Sequence, residues 1–264
     1  MAHTARLVLA CVLGSTALVA QEPGPLGAPF GEQPAVLAEA PDSPISPVQL
    51  VKDVVYDQKR IFTFPWRAAQ GRHWKPLFAV ALGTVGLVAL DPYTEPYFHD
   101  HSFSAYKTGA LRGRNSTIAI VGAPAAFYLI GLAKHSTHSK NTGLLAAEAI
   151  ANTQILSFAL KQAVGRLKPS DIPPNGNFRD TWFKYGGTLS NGGSFPSGHT
   201  ASAFAVATVI ASRYRKHRWV PWAAYGAATF IALTRLPDQA HFPSDLFMGA
   251  ALGFSVSQFV VLRK

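Results

Sequence analysis

The stretch that decides the interpretation of this chain runs from Gly193 to Thr200 and reads Gly-Ser-Phe-Pro-Ser-Gly-His-Thr. Gly198 allows the backbone to approach a ligand closely, and the first N–H groups of a helix favour an anion. An imidazole, that of His199, stands beside them. The stretch therefore predicts an anion site at the start of a helix, although Ser197 or Thr200 could also serve only to cap that helix.

Two flanking segments add cations, a second histidine and a carboxylate. The upstream segment, residues 161–169, reads KQAVGRLKP and follows an apolar helical pattern. The downstream segment, residues 235–245, reads RLPDQAHFPSD, with its histidine and last carboxylate four residues apart. Cations hold phosphate oxygens, and a histidine oriented by a carboxylate can act as a nucleophile. The three segments together contain the groups that bind a phosphate and transfer it through a histidine.

At these residues the chain resembles the type 2 phosphatidic acid phosphatase superfamily, which is shared with bacterial acid phosphatases and vanadium haloperoxidases. The family motifs are Lys-x6-Arg-Pro, Pro-Ser-Gly-His and Ser-Arg-x5-His-x3-Asp. The second motif is present unchanged at 196–199, and the third at 234–245 with Thr234 in place of serine. In the first motif Lys161 is present, but Lys168 stands where arginine is expected. Three motifs in order, with both internal spacings kept, make a specific match.

The resemblance implies a role for each motif residue. His241 attacks phosphorus and forms a phosphohistidine, Asp245 accepts the Nδ1–H of His241, and His199 protonates the leaving alcohol. The residues implied to hold the phosphate are Lys161, Lys168, Ser197, Gly198 and Arg235. Lysine lacks the two-pronged geometry of arginine, so Arg166 could partly take over the role of Lys168. This mechanism needs no metal and no cofactor, and we expect neither.

The composition favours a membrane-associated protein that meets anionic partners. Hydrophobic residues make up 48% of the chain and charged residues 14%, against about 25% charged in ordinary soluble domains. The net charge of +10 suits phosphate esters or lipid head groups. The basic residues are scattered and form no recognition module, which argues against nucleic acid as a partner.

The first 48 residues divide into two parts by composition. Arg6 precedes an apolar run, Leu7–Ala20, that is typical of an export signal, so residues 1–20 are predicted to be a signal peptide. The only cysteine, Cys11, lies in this run, so a processed chain would contain no disulfide and no cysteine nucleophile. Residues 21–48 are rich in proline and are predicted to be a flexible linker. Residues 49–264 form the predicted helical phosphatase domain.

Apolar segments of helical length recur along that domain. Ahead of them, a short helix within 49–66 is expected to bury one face made of Val51, Val54, Val55 and Ile61. The six apolar segments, rich in Ala and Gly, are Leu77–Leu90, Thr117–Ala133, Leu144–Leu160, Ala201–Ser212, Trp219–Thr234 and Leu246–Leu262. The predicted fold is all-α: a six-helix bundle of the phosphatidic acid phosphatase type, embedded in a membrane or associated with one. Several segments are shorter than the ~20 residues of a spanning helix, so a compact periplasmic bundle stays open.

The resemblance implies a phosphatase of the bacterial cell envelope that hydrolyses phosphate monoesters or lipid (pyro)phosphates. The implied substrate is a phospholipid or an isoprenoid (pyro)phosphate, and the active site is expected to face the periplasm. Three alternatives stay open at this point. They are a soluble periplasmic acid phosphatase for small esters, a vanadate-dependent haloperoxidase, and a non-catalytic protein that binds lipid phosphates.

Overall fold

A computed structural model describes residues 42–64, 74–100, 113–173, 176–185 and 193–263. Within these ranges the chain is all-helical, with seven α-helices and no strand. In chain order they are α1 (Pro47–Phe62), α2 (Trp74–Asp100), α3 (Gly113–Ala133), α4 (Thr137–Val164), α5 (Gly198–Arg213), α6 (Trp219–Leu233) and α7 (Pro243–Val256). A 3₁₀ turn at Pro169–Asp171 follows α4, and a π turn at Ser257–Val261 extends α7.

The all-helical fold predicted from the six apolar segments is confirmed, because each segment falls mainly on one of the helices α2 to α7, and the last continues into the π turn. Four stretches are long and apolar enough to cross a membrane: Lys75–Phe98, Gly113–Ala133, Thr137–Asp171 and Pro243–Val261. Helix α6 is apolar but shorter. By length and composition the chain is a membrane protein. The predicted signal peptide and most of the predicted linker lie outside the described residues.

Helix α5 lies at the centre of the bundle. Eleven of its sixteen residues are buried, and it contacts α3, α4, α6 and α7. Helix α5 packs closely on α7 because two glycines of α7 face the backbone of α5. A Cβ added to Gly249 would lie 2.6 Å from the carbonyl oxygen of Ser197, and one added to Gly253 would lie 2.0 Å from that of Ala201. Small residues therefore allow the N-terminal ends of α5 and α7 to meet at one end of the bundle.

The chain between α4 and α5 returns to the same end. Gly165 ends α4 in the left-handed conformation, with φ of 54°, which glycine adopts without a Cβ penalty. The following segment is held by backbone hydrogen bonds. Leu167 N–H donates to the Thr181 carbonyl, and Ser194 N–H donates to the Arg166 carbonyl, each at 2.8 Å. The end of α4 and the start of α5 are thereby fixed side by side.

Helix α1 is present, and Ile61 of the face predicted to be buried is only 7% exposed, but two valines of that face do not pack. Val51 and Val55 are 62% and 69% exposed. The helix also packs on α4 through polar groups, because Asn152 Nδ2 donates to Asp57 Oδ2 at 2.9 Å and Asn152 Oδ1 accepts from Gln58 Nε2 at 2.7 Å. The apolar pattern therefore predicted the buried face only in part, because the polar partner of the helix, Asn152, lies 95 residues from Asp57 in the sequence.

Candidate active site

The predicted site residues converge on the end of the bundle where α4 finishes and α5 and α7 begin. The carbonyl groups of Gly193 and Ser194 lie at its centre. Lys161 Nζ donates to the Gly193 carbonyl at 2.5 Å, and His241 Nδ1 lies 2.8 Å from the Ser194 carbonyl. Ser197 N–H donates to the Asp245 carbonyl at 3.0 Å. Residues from all three sequence motifs therefore share one set of contacts.

The imidazole of His241 is buried and held in one orientation. A carbonyl oxygen can only accept, so the contact with Ser194 places the proton of the neutral ring on Nδ1 and leaves Nε2 unprotonated. Asp245 Oδ2 lies 3.7 Å from Nδ1, farther than the direct hydrogen bond that the resemblance implies. Burial lowers the pKa of His241, while Asp245 opposes that shift. The ring is therefore neutral and nucleophilic near neutral pH.

Asp245 is fixed by two other donors. Its Oδ1 accepts from Arg166 Nη1 at 2.6 Å, and its Oδ2 accepts from the backbone N–H of Phe242 at 2.8 Å. Both contacts are buried. The carboxylate therefore caps the first turn of α7 and presents its remaining charge to His241.

His199, near the N-terminus of α5, contacts α3 in addition to the motif residues. Its Nε2 lies 2.9 Å from Thr117 Oγ1, which in turn donates to the Gly113 carbonyl at 2.9 Å. The Thr117 hydroxyl therefore links His199 to the first turn of α3. Burial, with Arg235 close by, lowers the pKa of His199 to about 4. His199 is therefore neutral in the unliganded site at neutral pH.

Three of the predicted phosphate ligands bring positive charge to this end of the bundle. Arg235 is 3% exposed and its Nη2 pairs with Asp238 Oδ2 at 2.7 Å. Its Nη1 lies so close to α3 that a Cβ added to Gly113 would approach it to 2.6 Å. Lys168 is half-buried and lies close enough for its charge to repel that of Lys161. These cations create the positive field that an anionic substrate needs.

The two small predicted ligands form the start of α5. Ser197 is fully buried, and its hydroxyl accepts from the Thr200 N–H at 3.4 Å and from the Thr200 hydroxyl at 3.0 Å. It is therefore the N-cap of the helix. The N–H groups of Gly198 and His199 belong to the first turn, whose donors have no partner within the helix. The start of α5 combines the capping role with the geometry of an anion site.

Arg166, predicted as a substitute phosphate ligand, lies in the interior. Its side chain is 1% exposed, and its guanidinium donates four hydrogen bonds, at 2.6 to 3.2 Å. The acceptors are Thr181, Ser244, Asp245 and Asp91. The ring faces of Trp182 and Phe242 enclose it at 4.4 and 3.9 Å. Its position makes it a counter-charge for two buried carboxylates rather than a group that faces the phosphate ligands.

Four contributing residues were missed by the sequence motifs. Thr117 and Ser194 contact the two histidines, but Thr117 lies outside the three motifs and Ser194 acts through its backbone carbonyl, which no residue type records. Asp91 and Ser244 contact Arg166. Asp91 did have a signal, since an ionisable residue in a span-length apolar helix is costly and calls for a partner.

The described residues contain no group of three or more His, Cys, Asp or Glu side chains that could hold a metal ion. The histidine nearest to such an arrangement outside the site, His138, pairs instead with Asp42 Oδ2 at 2.9 Å and lies 3.2 Å from the Arg213 carbonyl.

The chain is similar to three curated bacterial phosphatases. It is 35% identical over 99 residues to a lipid A 1-phosphatase of Porphyromonas gingivalis, covering 37% of this chain and 18% of that protein. It is 33% identical over 115 residues to a lipid A 1-phosphatase of Rhizobium etli, covering 42% and 46%. It is 34% identical over 100 residues to a lipid A 4'-phosphatase of Bacteroides thetaiotaomicron, covering 38% and 43%. The chain spans less than half the length of each.

Among solved structures, the chain is similar to a transmembrane PAP2-type phosphatidylglycerolphosphate phosphatase from Bacillus subtilis. The identity is 18% and the TM-score 0.39, with 81% of this chain and 93% of that chain covered.

The family model of the PAP2 superfamily matches residues 142–263. That region contains Lys161, His199, His241 and Asp245 together with the helices that position them, α4 to α7. Residues 142–263 of this chain are therefore similar in sequence to the PAP2 superfamily.

Proposed function

We propose that this protein is a phosphatase that hydrolyses a lipid phosphate through a phosphohistidine intermediate, without a metal ion. The observation that carries the proposal is the convergence of His241, His199 and three cations on one end of the bundle. In the first step Nε2 of His241 bonds to phosphorus while the bond from phosphorus to the ester oxygen breaks. His199 gives that oxygen a proton, and the alcohol leaves. In the second step water attacks the phosphohistidine, loses a proton to His199 and releases phosphate.

The charges in the site support a role for His199 as a general acid that becomes protonated only when substrate is bound. Its pKa of about 4 follows from burial and the neighbouring Arg235 and His241. A phosphate dianion bound among the cations would offset that positive field and raise the pKa. His199 would then carry its extra proton when the leaving group needs it, and would remain neutral in the empty site.

Lipid phosphate is the substrate class that the surroundings favour. The site lies at the end of helices that are long enough to cross a membrane, so a lipid head group can reach it from the bilayer surface. Two curated relatives are named lipid A 1-phosphatases and a third a lipid A 4'-phosphatase. We therefore propose lipid A, or a lipid with a similar phosphate ester, ahead of isoprenoid pyrophosphates.

Basic residues support a periplasmic position for the site. The ends of α3 and α5 and the starts of α4 and α6 lie at the opposite end of the bundle, where His138 contacts the Arg213 carbonyl. The loops there carry Lys134, Arg215, Lys216 and Arg218. Short loops rich in Lys and Arg remain in the cytoplasm, which leaves the site on the periplasmic side.

The first experiment measures phosphate release from lipid A in detergent micelles containing EDTA, with p-nitrophenyl phosphate as a soluble comparison. The wild type should release phosphate faster from the lipid. His241→Ala should abolish turnover, because the attacking atom is lost. His217→Ala is the matched control, since His217 is exposed in the loop opposite the site, and it should retain full activity.

The outcomes separate the alternatives. A His241→Ala protein with wild-type activity would rule out the phosphohistidine mechanism. A preference for the soluble ester would indicate an acid phosphatase of small substrates. A loss of activity in EDTA that a divalent ion restores would indicate a metal site.

A further inference from the structure

Helix α2 carries two carboxylates, Asp91 and Glu95, that are fully buried one turn apart. They lie in the stretch Lys75–Phe98, which is long and apolar enough to span a membrane. Ionisable residues in such a segment are costly and usually pair with other groups or serve the function of the protein. The PAP2 sequence match begins at residue 142, so it does not account for either carboxylate.

Asp91 connects α2 to the first turn of α7. Its Oδ2 accepts from Arg166 Nη2 at 2.7 Å and from Ser244 Oγ at 2.5 Å, and its Oδ1 accepts from the Ser244 N–H at 3.2 Å. Ser244 is the second residue of α7. A carboxylate from another helix therefore satisfies an N–H group at the start of α7, where negative charge is favourable.

The same contacts continue to the nucleophile. Arg166 Nη1 donates to Asp245 Oδ1 at 2.6 Å, and Asp245 Oδ2 lies 3.7 Å from His241 Nδ1. One guanidinium is shared between two carboxylates, Asp91 and Asp245. The cluster therefore keeps a net negative charge beside the imidazole, which favours the positive charge that the ring acquires on bonding to phosphorus.

We infer that Asp91 is a positioning residue of this site, which holds Arg166 and the start of α7 so that Asp245 and His241 keep their places and charge balance. The inference rests on the proposed function, in which His241 is the nucleophile. Without the carboxylate of Asp91, Arg166 would pair with Asp245 alone and neutralise it more completely. His241 would then lose part of its electrostatic support.

The direction of the effect on His241 follows from the charges that face it. These are Asp245 on α7, Lys161 on α4 and His199 on α5, with Arg166 behind Asp245. Asp91 reaches this set through Arg166, so Asp91→Asn removes the negative charge on the far side of Arg166 and makes the surroundings of His241 more positive. The imidazolium form becomes less favourable, so the pKa of His241 falls.

The experiment compares Asp91→Asn with Glu95→Gln, the same change of carboxylate to amide one turn further along α2. The rate with lipid A is measured together with the titration of His241 by ¹⁵N NMR of histidine-labelled protein, assigned with His241→Ala. Asp91→Asn should lower kcat about 10- to 100-fold, as the loss of a hydrogen-bond partner that orients a metal-binding histidine does. KM should change little, and His241 should titrate at lower pH.

Glu95→Gln should match the wild type in both measurements. Neither carboxyl oxygen of Glu95 has a hydrogen-bond partner among the described residues, and a carboxyl group buried without a partner is neutral, so the substitution removes no charge. A purely structural role for Asp91 would reduce the amount of folded protein without moving the titration of His241.

Each outcome decides one question. Wild-type kcat and titration in Asp91→Asn, or an equal loss in Glu95→Gln, would overturn the inference. If the wild type releases no phosphate, the proposed function fails, and the titration alone still decides the role of Asp91.

If Asp91→Asn does not fold, Ser244→Ala provides the test, since it removes the hydroxyl that bridges Asp91 and Arg166 and keeps both carboxylates. It should lower kcat several-fold at unchanged KM, and wild-type kcat would overturn the inference.

Discussion

Arg166 and Lys168 stand two residues apart but have opposite surroundings. Arg166 is enclosed between two carboxylates and two aromatic rings, whereas Lys168 is half-buried beside Lys161. The family pattern expects arginine at position 168. Because Arg166 is engaged in the interior, we propose Lys168 as the second phosphate ligand, although lysine offers a point charge in place of a two-pronged donor.

Substitutions at position 168 test this assignment. Lys168→Arg should preserve or raise kcat/KM, because arginine adds a second donor in fixed geometry. Lys168→Ala should lower kcat/KM more than about tenfold, since a charge-assisted contact of this kind is worth about 1.5–3 kcal/mol. Steady-state kinetics with lipid A measure both effects.

Arg166→Ala cannot serve as the comparison for that experiment. It would leave Asp91 and Asp245 without their counter-charge in the interior, and breaking such a buried pair costs about 3–5 kcal/mol. We expect a poorly folded, inactive protein whichever residue binds phosphate. Wild-type kinetics of Lys168→Ala would therefore be the result that removes Lys168 from the site.

The pKa of His199 leads to a prediction for the pH dependence. A general acid must be protonated, so activity is lost as pH rises through its pKa. The pH profile of kcat/KM reports the pKa of the acid in the free enzyme, and the pH profile of kcat reports its pKa in the enzyme–substrate complex. Because bound phosphate raises the pKa of His199 from about 4, the alkaline decline of kcat should lie at higher pH than that of kcat/KM. His199→Asn should remove this decline, and coincident profiles would contradict the substrate-dependent acid.

At the scale of the helices, two glycines of α7 set the distance to α5. A Cβ added at position 253 would lie 2.0 Å from the carbonyl oxygen of Ala201, whereas nothing lies within 4 Å of one added at Gly226 on α6. A backbone carbonyl cannot move aside as the end of a flexible side chain can, so a methyl group at position 253 has no space. Position 226 has space for it and serves as the control for the same substitution.

Gly253→Ala should lower the thermal unfolding temperature in detergent, with a cost of about 1–3 kcal/mol for overpacking. Gly226→Ala should be neutral or stabilise by up to about 1 kcal/mol, the usual gain in a helix interior. Gly249→Ala should reduce activity as well, because its Cβ would press on the carbonyl of Ser197 at the end of α5 that we propose to bind phosphate. Equal melting temperatures for the three variants would contradict close packing of α5 on α7.

The helices were predictable from sequence, whereas several contacts between them were not. Apolar runs rich in Ala and Gly predicted α2 to α7 because a helix that packs on others is apolar over most of its length. The three motifs brought His199, His241 and Asp245 to one place. The interior position of Arg166 was not predictable, because its partners Asp91 and Asp245 lie 75 and 79 residues away and no local pattern records that distance.

At the scale of the whole molecule, two features predict opposite orientations in the membrane. Asp91, near the end of α2, contacts the site, so the start of α2 lies at the opposite end of the bundle. If α2 crosses the membrane, an export signal at residues 1–20 would put that opposite end in the periplasm. The basic loops between α3 and α4 and between α5 and α6 would put it in the cytoplasm. We give more weight to the basic loops, because they connect helices that pack on one another in the bundle.

Single cysteines decide the orientation. Cys11 is the only cysteine of the chain, so Cys11→Ser provides a background for Lys184→Cys, near the site, and His217→Cys, in the opposite loop. Both residues are exposed. In cells with a permeabilised outer membrane, an impermeant maleimide should label position 184, and position 217 only after lysis. Labelling of position 217 before lysis, and of position 184 only after lysis, would put the site in the cytoplasm. That is the orientation expected if residues 1–20 are an export signal and α2 crosses the membrane. Labelling of both positions before lysis would mean that the helices do not cross and that the bundle lies entirely in the periplasm.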